Sequence, residues 1–131
     1  PNKGTAFHDP EIDSIYEAYQ SQRSKYFIVE ENNMIKGGAG ICQLKNEAYE
    51  ICELQKMYFD SMMRGKGLGS LMIEKCLNFA KENKFKICYI ETMPNMLDAQ
   101  KLYLKFGFKY IYFPMGNTGH FACPIWMIKS L

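Results

Sequence analysis

The segment 64–70 (RGKGLGS) combines the residue types and spacing that most favour chemistry in this sequence. Its glycines alternate with other residues, and because glycine has no Cβ the backbone there can turn sharply and approach a ligand closely. The segment leads into a predicted helix, whose N-terminus would present free N–H groups and a positive dipole end to an anion. We therefore expect a phosphate or pyrophosphate to bind here. The residues expected to bind it are Arg64, Gly65, Lys66, Gly67, Leu68, Gly69 and Ser70.

Two nucleotide-binding motifs do not fit this segment. A P-loop requires G-x-x-x-x-G-K-[ST], which the segment lacks. The dinucleotide fingerprint requires G-x-G-x-x-G. Counted from Gly65 the third glycine falls one place early, and counted from Gly67 the third position is Met72. A nucleotide-phosphate binder is therefore a weaker alternative, and a glycine-rich helix start without any ligand is another.

Hydrophobic periodicity predicts the elements that must position this segment. Apolar residues at three- and four-residue steps predict helices, and short apolar runs bounded by turn residues predict strands. Glycines inside the second strand indicate either a weakened strand or a close backbone approach. The predicted elements are a helix from Pro10 to about Gln22, strands at 26–30, 34–44 and 48–59, a helix from Leu68 to Ala80, a strand at 85–91, a helix from Asn95 to Phe106, and strands at 108–113 and 123–128.

The order of these elements predicts an α/β fold with a mixed sheet. The first three strands form an antiparallel meander. The connection from the third strand through a helix to the fourth should be a right-handed crossover, so those two strands should be parallel. Asn95, with Asp98 three residues on, predicts the start of the later helix. Gly107 predicts its left-handed C-terminal cap.

Length and charge bound the class of protein. A chain of 131 residues with 47% hydrophobic and 23% charged residues is typical of one soluble domain, here 1–131. The 16 Lys and Arg residues nearly balance 14 Asp and Glu, and Arg23 and Arg64 are the only arginines, so no nucleic-acid partner is expected. No apolar run approaches the ~20 residues of a membrane span, so we expect no membrane partner and a cytoplasmic location.

The five cysteines do not form a metal or disulfide pattern. No C-x-x-C pair occurs and no histidine lies at zinc-like spacing, so no metal is expected. Most of the cysteines lie in strand-like apolar stretches, which favours small buried side chains in a reducing compartment. The alternative is a catalytic thiol, which would need a histidine nearby in space. The cysteines are Cys42, Cys52, Cys76, Cys88 and Cys123.

Three motifs together resemble the GNAT superfamily of acetyl-CoA-dependent N-acetyltransferases. Arg64-x-x-Gly67-x-Gly69 matches the superfamily pattern [QR]-x-x-G-x-[GA]. Segment 99–108 (AQKLYLKFGF) is similar to A-x-x-L-Y-x-k-x-G-F, and segment 53–59 (ELQKMYF) is similar to E-L-x-x-L-Y-V. The motifs occur in the family's order, on the elements predicted above, within about residues 10–130.

The resemblance implies a fold and an activity. The fold would be a mixed, mostly antiparallel sheet with a central parallel pair of strands that splay apart, flanked by helices. The activity would be transfer of acetyl from acetyl-CoA, the cosubstrate, to a small-molecule or peptide primary amine by direct attack in a ternary complex. The alternative is a non-catalytic acyl-CoA-binding or sensor module on the same fold. Homodimers are common in the family. Its first strand has no counterpart before Pro1, so we expect either a trimmed chain or a fold without that edge.

The resemblance also implies roles for single residues. Tyr103 matches the tyrosine that protonates the departing thiolate, although a tyrosine on this helix face is also compatible with a simple core aromatic. An N–H donor near Met57 or Phe59 would stabilise the oxyanion. The resemblance also places Asn95 among the residues expected to bind the cofactor. The general base stays open among Glu53, Glu91, His120 and ordered water. Residues expected to contact the acceptor are Glu91, Phe7, His8, Asn117, Thr118, His120 and Phe121.

Overall fold

The computed structural model describes residues 23–44, 47–59, 67–116 and 125–131. The helix predicted for 10–22 lies outside these ranges. The described elements follow the predicted order of three strands, a helix, a strand, a helix and two strands. They are β1 (Lys25–Glu31), β2 (Met34–Gln43), β3 (Ile51–Phe59), α1 (Leu68–Glu82), β4 (Ile87–Thr92), α2 (Leu97–Lys105), β5 (Lys109–Ile111) and β6 (Ile125–Ser130).

The described strands form one six-stranded sheet in the order β1-β2-β3-β4-β6-β5. The pair β3 and β4, which α1 connects, is parallel, and the other neighbouring strands are antiparallel. The mixed, mostly antiparallel sheet with a central parallel pair is therefore confirmed. The parallel pairing runs from Ile51↔Ile87 to Glu53↔Tyr89 and stops there, although both strands continue. The two central strands thus separate beyond Glu53, as the predicted splay requires.

The two faces of the sheet carry different cores. α1 packs its apolar stripe on β1, β2 and β3, and α2 joins the same side through Tyr103. The opposite face holds a smaller cluster of Leu44, Ile51 and Tyr89. Side chains alternate between faces along a strand. The larger cluster consists of Ala39, Ile41, Cys52, Leu54, Met72, Ile73, Cys76, Leu77, Ala80, Phe85, Cys88, Ile90, Tyr103, Phe108 and Met127.

The glycines of β2 mark a close backbone approach, one of the two interpretations that the sequence allowed. A Cβ on Gly37 would overlap Phe59 Cδ1 and would lie 2.7 Å from the Tyr58 carbonyl oxygen. A Cβ on Gly38 would lie 2.7 Å from the ring of Tyr26. These neighbours therefore occupy the space that a larger residue in β2 would need.

The start of α2 differs from the prediction, and its end agrees with it. The helix begins at Leu97 rather than Asn95, with Met96 at the N-cap and no side-chain hydrogen bond capping it. The predicted pairing of Asn95 with Asp98 is therefore wrong. A turn, in which the Met96 N–H donates to the Met93 carbonyl oxygen at 3.0 Å, occupies the predicted first positions. Gly107 has φ +94°, the left-handed conformation expected of the C-terminal cap.

Candidate active site

A cavity of about 540 Å³ lies where the end of β3 meets the start of α1 and the start of α2. Every described residue expected to bind the cofactor lines it, so the structure brings residues from three distant segments around one space. The expected residues Arg64, Gly65 and Lys66 lie outside the described residues. The lining residues are Met57, Tyr58, Phe59, Gly67, Leu68, Gly69, Ser70, Asn95, Met96, Leu97, Asp98, Ala99, Leu102 and Tyr103.

A β-bulge sets the course of β3 along this cavity. The pairs Gly40↔Gln55 and Gly38↔Tyr58 leave two residues of β3 opposite one residue of β2. Lys56 takes the extra position with φ +56°, a left-handed conformation that is strained for a non-glycine residue. The Tyr26 hydroxyl donates to the Lys56 carbonyl oxygen at 2.8 Å and holds this conformation. Because of the inserted residue, Met57 beyond the bulge packs on the helix side.

The start of α1 directs free backbone donors to the cavity. The Leu71 N–H donates to the Gly67 carbonyl oxygen at 3.2 Å, the first hydrogen bond within the helix. The preceding N–H groups, from Leu68 to Ser70, have no acceptor in the helix, and these residues line the cavity. The described first turn contains no acidic residue. This end of α1 is therefore suited to an anion.

The two described glycines of the loop have different physical roles. Gly67 has φ +74°, and a Cβ added there would have nothing within 4 Å, so its role is the left-handed turn into α1. A Cβ on Gly69 would lie 2.8 Å from Leu102 Cδ2. Gly69 therefore leaves space for the Leu102 side chain of α2, a packing role that the sequence pattern did not reveal.

Tyr103 lies on α2 between the core and the cavity. Its side chain is 6% exposed and packs against Phe108 with ring centroids 5.9 Å apart. Burial, with smaller effects from Cys88 and Cys76, raises the pKa of Tyr103 to about 12. The phenol therefore keeps its proton at neutral pH and is able to donate a hydrogen bond. Tyr103 is both a core aromatic and a cavity residue, so the two interpretations of it are compatible.

Glu53 lies on the sheet face opposite α1, at the last paired position before β3 and β4 separate. Its neighbours along the strand, Cys52 and Leu54, belong to the helix-side core, so alternation directs Glu53 the other way. The carboxylate is 4% exposed and accepts a hydrogen bond from Gln55 Nε2 at 2.8 Å. Burial, with a smaller contribution from Glu91, raises the pKa of Glu53 from its ordinary 4.5 to about 7, while the Gln55 hydrogen bond and the Lys56 charge oppose the rise.

Glu91 is held on the same face by a residue that sequence reasoning missed. The Tyr89 hydroxyl donates to Glu91 Oε2 at 2.7 Å and accepts from the Met115 N–H at 3.0 Å. Tyr89 is also the cross-strand neighbour of Glu53. The two-residue period of Glu53 and Gln55 on β3, and of Tyr89 and Glu91 on β4, was the signal in the sequence that could have grouped these four side chains.

The predicted acceptor residues other than Glu91 lie outside the described residues. They are Phe7, His8, Asn117, Thr118, His120 and Phe121. Glu53 and Glu91 do not line the cavity; Glu53 lies on β3 at the last position paired with β4, and Glu91 lies on β4 beyond that pairing.

The described cysteines are free thiols, and most are core residues. Cys52, Cys76 and Cys88 are fully buried, which confirms the core prediction for these three. Burial raises the pKa of Cys76 to about 12 and that of Cys88 well above its ordinary value. A thiol with a raised pKa is a poor nucleophile, because the thiolate is the reactive form. Cys42 is partly exposed, yet burial and Glu53 also raise its pKa to about 12. Cys123 lies outside the described residues.

The described part of the chain holds neither a metal cluster nor a membrane-spanning helix. In ranges 23–44, 47–59, 67–116 and 125–131, no three His, Cys, Asp or Glu side chains lie close enough together to hold a metal ion. Neither α1 nor α2 has the length and apolar character needed to cross a membrane.

The fold is that of the GNAT acetyltransferases. A GNAT-family acetyltransferase from Staphylococcus aureus Mu50 superposes with a TM-score of 0.82 over 97% of this chain and 80% of that one, at 21% identity. The yncA protein from Salmonella typhimurium, solved with its cofactor acetyl-CoA, superposes with a TM-score of 0.74 over 92% of this chain and 72% of that one, at 17% identity.

Sequence comparison defines the family. Residues 2–108 match the model of the Acetyltransferase (GNAT) family. YjgM, an uncharacterized N-acetyltransferase of Escherichia coli (strain K12), is 38% identical over 130 residues, which cover 99% of this chain and 78% of that protein. The N-acetylaspartate synthetase of Xenopus tropicalis is 36% identical over 66 residues, covering 50% of this chain and 24% of that protein. The chain belongs to the GNAT family of acetyltransferases.

Proposed function

We propose that this protein transfers an acetyl group from acetyl-CoA to a primary amine by direct attack of the amine in a ternary complex. The observation that carries the proposal is the cavity that joins the start of α1 to the separated end of β3 and to Tyr103. Free N–H groups at the start of α1 and a phenol, both lining one cavity, match the two groups of an acyl-CoA that need recognition, the pyrophosphate and the thioester.

The cavity supports a specific arrangement of the cosubstrate. The free N–H groups at the start of α1 bind the pyrophosphate, together with Arg64, Gly65 and Lys66, which precede them in the sequence. The pantetheine arm runs along β3 at Met57 and Phe59. This part of β3 is no longer paired with β4, so its backbone N–H and C=O groups on that side are available to the arm. Asn95 and the exposed Met96 and Leu97 contact the arm from the other side.

The chemical step follows from this arrangement. The amine nitrogen attacks the thioester carbonyl carbon, and a backbone N–H near Met57 or Phe59 stabilises the oxyanion that forms. The intermediate collapses with cleavage of the C–S bond, the amine loses one proton, and the thiolate gains one. The pKa of Tyr103, about 12, exceeds the ~8.5 of an ordinary thiol. Tyr103 therefore donates a hydrogen bond to the sulfur as its negative charge develops, and the net proton comes from the amine.

Glu53 is the favoured first acceptor of the amine proton, which solvent then carries to the thiolate, so that Glu53 is regenerated. A general base is most effective when its pKa lies near the working pH, and the pKa of Glu53 is raised to about 7. Glu91, which lies beyond the splay on the neighbouring strand, is the second candidate, and ordered water is a further route. His120, which lies outside the described residues, remains a candidate.

Two experiments test the proposal. Calorimetric titration with acetyl-CoA, CoA and NAD should show binding of the first two only; preferential NAD binding, or no acetyl-CoA binding, would overturn it. A panel of amines should then be screened for release of the CoA thiol. The panel includes aspartate, because N-acetylaspartate synthetases are among the relatives, as well as polyamines, other amino acids and peptides. Binding of acetyl-CoA without release by any amine would favour the acyl-CoA-binding module instead.

A further inference from the structure

Gln100 connects three elements beside the cavity through one buried amide. Its side chain is 7% exposed, on the first turns of α2. Its Nε2 donates to the Met93 carbonyl oxygen at 2.8 Å and more weakly to that of Pro94 at 3.4 Å. Its Oε1 accepts from the Tyr110 hydroxyl at 2.8 Å. One side chain thus joins the turn after β4, the helix α2 and the strand β5.

The turn that Gln100 holds leads directly into one wall of the cavity. The Met93 carbonyl oxygen also accepts from the Met96 N–H, so both of its lone pairs are used. Met93, Met96 and Leu97 are 39%, 47% and 61% exposed, so their side chains are only partly packed against the rest of the protein. No side chain caps the start of α2. The Gln100 amide therefore fixes the position of this wall together with the backbone hydrogen bond from the Met96 N–H to the Met93 carbonyl oxygen.

We infer that Gln100 is a positioning residue for acetyl-CoA, holding the turn from Met93 to Met96 so that Asn95 and Met96 meet the pantetheine arm. The inference rests on the proposed function. An amide is required because it donates to the turn and accepts from Tyr110 at the same time. A carboxylate of the same size would accept from Tyr110, but it would place an oxygen without a proton against the Met93 carbonyl oxygen.

The test compares acetyl-CoA affinity in three variants. Gln100→Glu should raise the Kd about tenfold, equivalent to ~1.4 kcal/mol, and Tyr110→Phe, which removes only the donor to Oε1, about threefold. Tyr112→Phe is the matched control, since its side chain is 87% exposed, and it should bind like the wild type. With an amine that supports turnover, the KM for acetyl-CoA should rise in both test variants while kcat stays within about twofold, a split that simple destabilisation would not produce.

The outcomes separate the inference from the proposed function. If the wild type binds acetyl-CoA and both Gln100→Glu and Tyr110→Phe bind it equally well, the role of Gln100 is refuted and the proposed function stands. If the wild type does not bind acetyl-CoA, both are refuted. If Gln100→Glu does not fold, Tyr110→Phe decides alone, and an unchanged Kd in that variant refutes the inference.

Discussion

Replacing Glu53 with glutamine should change how the stability of the protein depends on pH. In the unfolded chain this carboxyl ionises near 4.5, and in the folded protein its pKa is about 7, mainly because of burial. Between these values the folded state holds a proton that the unfolded state has lost. The free energy of unfolding therefore falls as pH rises through this window and levels off above the folded pKa.

The size of the effect follows from the two pKa values. Each tenfold difference in proton affinity is worth 1.36 kcal/mol, so ionising Glu53 should destabilise the folded state by up to about 2.5 kcal/mol between pH 5 and pH 8. Glu53→Gln does not titrate and keeps an oxygen that can accept from Gln55. The free energy of unfolding of the variant, taken relative to that of the wild type, should therefore rise by about 2.5 kcal/mol from pH 5 to pH 8.

Urea denaturation at pH 5, 6, 7 and 8 measures the difference directly. Glu74→Gln is the matched control, because Glu74 lies on the exposed face of α1, and its difference from the wild type should not vary with pH. A Glu53→Gln difference that varies by less than about 0.5 kcal/mol would mean that Glu53 ionises as it does in water. That result would remove the physical basis for its assignment as the base.

Three further predictions concern turnover and folding. Tyr103→Phe should lower kcat by about 10²-fold, because the hydrogen bond to the developing thiolate is lost, with little change in the Kd for acetyl-CoA; an unchanged kcat would exclude Tyr103 from the chemical step. Glu53→Gln should lose the acidic limb of the pH–rate profile near pH 7, whereas a retained limb would assign the base elsewhere. Arg23→Lys should lower the free energy of unfolding by about 1–2 kcal/mol. The Arg23 guanidinium lies 3.5 Å from the ring centroid of Tyr49 and 3.8 Å from that of Phe85, and it donates to the Asn83 carbonyl oxygen at 3.0 Å; urea denaturation without a measurable change would contradict this.

The sequence was sufficient for the features that depend on local periodicity. Apolar steps of three and four residues located α1, and Gly107 marked the end of α2 correctly. Strand boundaries were less accurate: β5 ends at Ile111 rather than at Phe113. Its pairing with β6 stops at Ile111↔Trp126, and the next two aromatic residues are exposed. The splay of β3 from β4 was expected from the family resemblance and not from any local pattern.

Features that depend on contacts between distant segments escaped sequence reasoning. The bulge at Lys56 depends on the Tyr26 hydroxyl, 30 residues away along the chain. Asn95 and Asp98 looked like caps, but the amide of Gln100 fixes the start of α2 from inside the helix. Side chains that form such contacts can be identified only when the register of the sheet is known. The same reason explains why Tyr89 was not connected with the acidic candidates.

The initial rate of CoA release, measured while both acetyl-CoA and an accepted amine are varied, tests the central claim most directly. Direct attack in a ternary complex predicts release that depends on the amine, saturates with both substrates and gives intersecting double-reciprocal lines. Parallel lines would indicate a covalent acetyl-enzyme, and release that no amine accelerates would show that the cavity beside Tyr103 does not support acetyl transfer.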